Sequence, residues 1–250
     1  MSEATSYREI LARARSLVRE GRPEQGILLW DQFIESDPTS RLALRERGHV
    51  KSFCGDHIGA IADYTAMILR WPDVPESFTG RAGARDRAGD PRGAIEDYSS
   101  AIAIDPRHPY AYFQRGRVKA ASGDLPGAIA DFSVSMNYDT MGPRSGLLNR
   151  GKAKHLLGDT AGAIDDLTEA MRLEPRCPFA PLFRGRVRLA AGDYRGAIAD
   201  FTAAIDAFPR LTNAYRQRAE AKALVGDPEG AEEDRRSYDR LGGRDLPAYA

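Results

Sequence analysis

Between residues 75 and 108, small or apolar side chains fall at Ala94, Ile95, Tyr98, Ala101 and Ile102. Spacings of three and four put all five on one stripe of an α-helix and fit no alternating strand. Phe78 and Ala82 mark a second helical face earlier in the same stretch. This pattern recurs along the chain, phased by Gly21, Gly55, Gly89, Gly123, Gly158, Gly192 and Gly226, which lie 34 residues apart except for one interval of 35. A period of that size marks tandem supersecondary units.

With the phasing glycine as position fifteen, position four is Ile10, Leu44, Phe78, Tyr112, Leu147 and Tyr215. Position twenty-eight is Ile34, Ile68, Ile102, Met136, Met171 and Ile205, which extends the stripe of the second helix. Position eight is Ala14, Gly48, Ala82, Gly116, Gly151, Gly185 and Ala219. A glycine inside a helix costs about 1 kcal/mol against alanine. Its reuse predicts a crossing too close for a side chain, with Ala at position twenty (Gly26 in the first repeat) as the opposite wall.

The boundaries are also written in the sequence. The phasing glycine suits a left-handed helix end. Asp56, Asp90, Asp124, Asp159, Asp193 and Asp227 follow it as N-caps. Pro91 and Pro228 occupy the first helical position. Pro38, Pro72, Pro106, Pro175 and Pro209 stop the second helix.

Charge complicates this picture. Position seven is Arg13, Arg47, Arg81, Arg115, Arg150, Arg184 and Arg218, and position eleven is basic in six repeats (Lys51, Arg85, Lys119, Lys154, Arg188, Lys222). Both share the inward face of position four, where unpaired cations would be prohibitive. Position twenty-three supplies Asp63, Asp97, Asp131, Asp166, Asp200 and Asp234, with Leu29 in the first repeat. One reading is a ladder of Arg–Asp pairs tying the helices together. The other is a basic stripe for nucleic acid or phosphate. Acids repeated in step with the bases favour the ladder.

Position four, Gly/Ala at eight, Ala at twenty, an aromatic at twenty-four (Trp30, Tyr64, Tyr98, Phe132, Phe201) and the terminal Pro resemble the tetratricopeptide repeat. The resemblance runs from about Tyr7 to Gly243. It implies an all-α fold, a right-handed α-solenoid of seven helix-turn-helix repeats forming a single domain over residues 1–250. The repeats fall near 7–40, 41–74, 75–108, 109–143, 144–177, 178–211 and 212–243, with 244–250 as a short tail. Glu232, Arg235 and Asp239 make the last helix a polar cap, and NYDTMGPRSG holds one extra residue, read as a longer loop or a local bend.

The resemblance further implies that first helices line a concave groove, in which positions two, five, six, nine, twelve and thirteen face a partner. In repeats four to six, position nine gives Arg117, Lys152 and Arg186, flanked by Tyr110, Phe113, Gln114, Leu148, Asn149, His155, Phe179, Leu182 and Phe183. Aromatics mixed with cations suit an acidic or carboxylate-terminated peptide; the same aromatics could instead pack between first helices. Asn149 matches one position of the family's two-carboxylate clamp, but Leu148, Phe179 and Phe183 depart from it. In repeats two and three, Arg45, Glu46, His49, Glu76, Asp86 and Arg87 read as a solvated face of mixed charge.

Composition narrows the function. Thirty-six basic and 36 acidic residues leave no net charge, which disfavours nucleic acid as the main partner. No apolar run approaches the length of a membrane span, and MSEATSYREI does not read as a secretory signal. A cytoplasmic location is expected, with Cys54 and Cys177 as free thiols. The histidines show no metal-ligand spacing, and no cofactor or catalytic constellation is evident. The recurrent GD-x-x-GA lacks the strand that precedes a phosphate loop. The expected function is a non-enzymatic scaffold for a protein or peptide. A self-associating assembly protein is the alternative, and a helical-repeat RNA binder a weaker one.

Overall fold

The computed structural model describes residues 3–138 and 144–243. Thr140, Met141, Gly142 and Pro143, and the RDLPAYA tail, lie outside the described residues. The described chain forms fourteen α-helices: α1 (Glu3–Arg19), α2 (Pro23–Ser36), α3 (Arg41–Phe53), α4 (His57–Arg70), α5 (Pro75–Arg87), α6 (Pro91–Ile104), α7 (Pro109–Ala121), α8 (Leu125–Tyr138), α9 (Arg144–Leu156), α10 (Thr160–Leu173), α11 (Phe179–Ala190), α12 (Tyr194–Ala207), α13 (Thr212–Leu224) and α14 (Pro228–Arg240). They group into two compact units, residues 1–122 with α1–α7 and residues 123–250 with α8–α14. Within each unit consecutive helices pack as antiparallel neighbours. First helices of successive repeats also touch: α1 with α3, α3 with α5, α9 with α11, and α11 with α13.

The turn between paired helices follows the sequence signals closely. All seven phasing glycines have positive φ, between 75° and 89°, a conformation glycine reaches without strain. The next Asp accepts a hydrogen bond from the backbone N–H three residues on: Gly59, Gly93, Gly127, Gly162, Gly196 and Gly230, at 2.9–3.0 Å. A Cβ on any of these second glycines would overlap the capping carboxylate. Both glycines of GD-x-x-GA therefore serve the turn.

The close helix crossing is present, with a shift in what fills it. A Cβ on Gly48 would lie 3.1 Å from the Tyr64 ring, on Gly151 3.0 Å from Leu167, and on Gly185 2.7 Å from Phe201. The nearest side chain is thus the large residue at position twenty-four. Position twenty contributes backbone, as where Ala163 O lies 3.3 Å from a Cβ on Gly151. Gly185→Ala should therefore destabilise by about 1–3 kcal/mol through overpacking, despite alanine's better helix propensity. A lowered urea midpoint at unchanged slope would show it; an unchanged or raised midpoint would refute it.

The Arg–Asp ladder forms in repeats two, three, five, six and seven. Arg47, Arg81, Arg150, Arg184 and Arg218 grip Asp63, Asp97, Asp166, Asp200 and Asp234 through Nε at 2.8–3.0 Å and Nη2 at 2.6–2.7 Å. The position-eleven cation completes each site: Lys51, Arg85, Lys154, Arg188 and Lys222 lie 2.9–3.0 Å from the same carboxylates. The third guanidinium nitrogen, Nη1, reaches back to the preceding repeat. It donates to Asp31, Thr65, Ser99, Ser133, Thr168 or Thr202, at 2.7–3.2 Å. All six acceptors stand at position twenty-five; in the last repeat that position is Arg236. Ser99, Ser133, Thr168 and Thr202 donate in turn to the carbonyl four residues earlier, at 2.7–2.8 Å. One arginine thus pins its own hairpin and the repeat before it.

Asp234 carries a titration consequence. Burial alone would raise its carboxyl, but hydrogen bonds from Arg218 and Lys222 outweigh that and hold it below the ordinary carboxylate value. Its ionisation favours folding, so its contribution is complete above the unfolded value, about pH 4, and is lost as pH falls through the folded value. Urea midpoints of the wild type should drop on acidification more steeply than those of Asp234→Asn. Parallel profiles would contradict this.

The core is a series of small clusters. Trp30 is buried beside Tyr7 and Phe33, with ring centroids 5.7 and 6.2 Å away. In the second unit Leu182, Ala197, Phe201, Ala204, Ile205, Leu211, Ala214 and Ala221 pack together. The last helix keeps Ala231 and Asp234 inside and exposes Glu232, Arg235 and Asp239, as expected of a cap. Cys54 is exposed, Cys177 buried, and both are free.

Candidate functional site

In the C-terminal unit, α9 carries Leu148, Asn149, Lys152 and His155, and α11 carries Phe179, Leu182, Phe183 and Arg186. The two helices lie side by side. The Phe183 ring is the centre of the arrangement. Lys152 Nζ lies 4.6 Å from its centroid and Arg186 Cζ 5.9 Å, within range of cation–π attraction. Beside the ring opens a cavity of about 150 Å³ lined by Lys152, His155, Leu156, Leu167, Phe183, Arg186 and Val187. Two cations and a histidine share it with aliphatic carbon, and no carboxylate lines it. Arg186 is exposed and makes no ion pair among the described residues. His155 Nδ1 is buried without a partner.

Leu182 must be corrected: it is fully buried, packed with Phe201 and Leu211, because α11 turns position five toward α12 and α13 rather than outward. Phe183 is also largely buried, at 7% exposure, and offers only the edge left by its two cations. Phe179 is half-buried between two core clusters, and Leu148 between one of these and a third, so these two serve packing as well as surface. The Asn149 amide donates to Ser145 O at 2.8 Å. It is spent on its own helix rather than held out toward a carboxylate.

The remaining predicted residues belong to the N-terminal unit. On α7, Arg117 donates to Gln114 at 2.8 Å, Phe113 is half-buried, and Tyr110 is half-exposed. Tyr110 joins clefts lined by α3 and α5 residues. The mixed-charge face of repeats two and three is not simply solvated. Glu46 is 8% exposed and is held by Arg45 at 2.8 Å and Arg15 at 3.7 Å.

Among the described residues, no group of three or more His, Cys, Asp or Glu could hold a metal ion, and no helix is long and apolar enough to cross a membrane. Helical hairpins in tandem, packed on their neighbours within each unit, define a helical-repeat protein of the α-solenoid class. The tetratricopeptide repeat family model matches residues 79–135 and 182–242. The chain is a tetratricopeptide repeat protein. A tetratricopeptide repeat protein from Parabacteroides merdae is similar over 95% of this chain and 94% of its own, at 18% identity and a TM-score of 0.71. The C-terminal part of a repeat-containing protein from Cytophaga hutchinsonii gives 16% identity and 0.72 over 94% and 96%. YrrB, described as having an unusual peptide-binding site, gives 18% identity and 0.58 over 72% and 92%. No curated protein matches the chain. Proteins of this repeat class are in general non-enzymatic interaction scaffolds.

Proposed function

We propose that this protein is a non-enzymatic scaffold that captures a peptide segment of a partner protein on the first-helix face of repeats five and six. The carrying observation is Phe183 held between Lys152 and Arg186 over a cavity with no carboxylate. Such a site favours an acidic group attached to an apolar one, because the exposed Arg186 makes no ion pair among the described residues and the aliphatic wall needs cover. A side-chain acid beside a hydrophobic residue, or a C-terminal carboxylate on one, meets both needs. YrrB shares the fold and binds a peptide at a site described as unusual, which agrees with recognition that departs from the two-carboxylate clamp. Free thiols at Cys54 and Cys177 suit action in the reducing cytoplasm.

Selection of displayed peptides on the wild-type chain should enrich sequences pairing acids with large apolar residues. Lys152→Glu/Arg186→Glu should bind the selected peptides at least about tenfold more weakly, with unchanged far-ultraviolet circular dichroism. Wild-type affinity should also fall steeply with added salt. Equal binding by the variant would overturn the assignment.

A further inference from the structure

The N-terminal unit holds a second recessed surface, chemically unlike the first. Two open clefts of about 520 and 530 Å³ share His49, Thr79, Gly80 and Tyr110. Tyr64, Gly83 and Arg87 line one; Arg15, Arg45, Glu46 and Glu76 line the other. Tyr64 comes from α4, a second helix, yet its ring reaches this first-helix surface. Gly80 allows that passage, since a Cβ there would overlap the ring. Gly83 is different: a Cβ would meet only Arg87 Nη1 at 3.5 Å and the Tyr98 hydroxyl at 3.7 Å. Packing does not demand a glycine at 83, and its effect is to leave the cleft open.

Tyr64 is 1% exposed, and its hydroxyl has no hydrogen-bond partner. Burial raises its pKa further out of reach, with Glu46 adding to the shift, so the phenol remains a donor. Arg45 Nε is a second buried donor without a partner. Unmet donors in such a place carry an unrecovered desolvation penalty, which an occupant bearing an acceptor would offset. The acidic side of the cleft limits what that acceptor can be. Glu46 is spent on Arg45 and Arg15, whereas Glu76 is exposed and makes no ion pair among the described residues. A carboxamide carries both an acceptor for an unmet donor and a donor for an unpaired carboxylate.

We infer that the cleft between α3, α5 and the start of α7 binds a carboxamide, the Asn or Gln side chain of a peptide. Its carbonyl accepts from the Tyr64 hydroxyl at the floor, and its NH₂ donates toward Glu76 at the rim. The site is separate from Lys152, Phe183 and Arg186 and stands or falls independently of them.

The test is a nuclear magnetic resonance titration of the full chain, labelled in its tyrosine rings, with four probes. N-acetyl-glutamine amide should shift the Tyr64 and Tyr110 signals saturably. N-acetyl-glycine amide, which has main-chain amides alone, and N-acetyl-norleucine amide, which has an aliphatic side chain, should not. N-acetyl-glutamate α-amide should bind at least about fivefold more weakly than the glutamine probe. Tyr64→Phe should weaken the glutamine probe at least about fivefold while leaving the melting temperature equal or higher, because it removes an unpaired hydroxyl. Gly83→Leu should fill the cleft and abolish the shifts without lowering the melting temperature. Preference for the glutamate probe, equal response to the glycine probe, or wild-type affinity in both variants would overturn the assignment.

Discussion

Asp200→Ala should destabilise the protein by about 3–5 kcal/mol, the range for breaking a buried ion pair by removing one partner. Asp200 is 2% exposed and takes hydrogen bonds from Arg184 and Arg188. Its loss would strand the Arg184 guanidinium, whose side chain is only 14% exposed, and leave Arg188 with the more distant carboxylate of Asp193 at 3.6 Å. The Arg184 bond to Thr168 would remain, but a hydroxyl supplies no counter-charge. Urea denaturation measures the loss. Because a repeat array couples mainly through nearest neighbours, amide exchange should show repeats six and seven opening first. Replacing all three groups together, as Arg184→Met/Asp200→Leu/Arg188→Met, should recover most of the stability, since apolar substitution of a whole buried ion cluster is often near neutral. A single variant within about 1 kcal/mol of wild type would mean that the ladder is ornamental.

Phe201→Ala should have a comparable effect, about 3–5 kcal/mol, by a different route. The ring is fully buried against Leu182, Ala197, Ile205 and Leu211, and Gly185 already offers it the closest approach of α11. Little can collapse into the vacated space from Gly185, which has no side chain to move in. The midpoint of urea unfolding should fall sharply, and Phe201→Leu should recover more than half of the loss. A loss below about 1 kcal/mol for the alanine variant would contradict the packing account.

The fold was legible because the repeat states each local choice seven times. One left-handed glycine is ambiguous, whereas Gly21 through Gly226 in phase are not. The acid at position twenty-three likewise identified its cations. Position twenty-five was as regular, with Asp31, Thr65, Ser99, Ser133, Thr168 and Thr202, but small hydroxyl residues on a helix surface look unremarkable until a neighbour's arginine arrives. The candidate site was less legible. Lys152 and Arg186 at position nine lie beside the Phe183 ring, whereas the same template placed Leu182 outward when α11 buries it. A family-wide list of facing positions cannot register the rotation of one helix against its neighbours. The Tyr64 cleft escaped because its floor comes from a second helix and its opening from absent side chains at Gly80 and Gly83.

Arg236 breaks the series of oxygen-bearing residues at position twenty-five. At each interior step, a position-seven arginine finds an oxygen on the helix behind it. Arg236 instead donates to Glu232 at 3.1 Å, one turn earlier on the same helix. Arg13, in the first repeat, has Leu29 where its acid would be, and among the described residues it pairs with Glu20 at 3.8 Å. At the seventh repeat, position twenty-five thus changes from an oxygen that a neighbour's arginine can use into a cation engaged by its own helix.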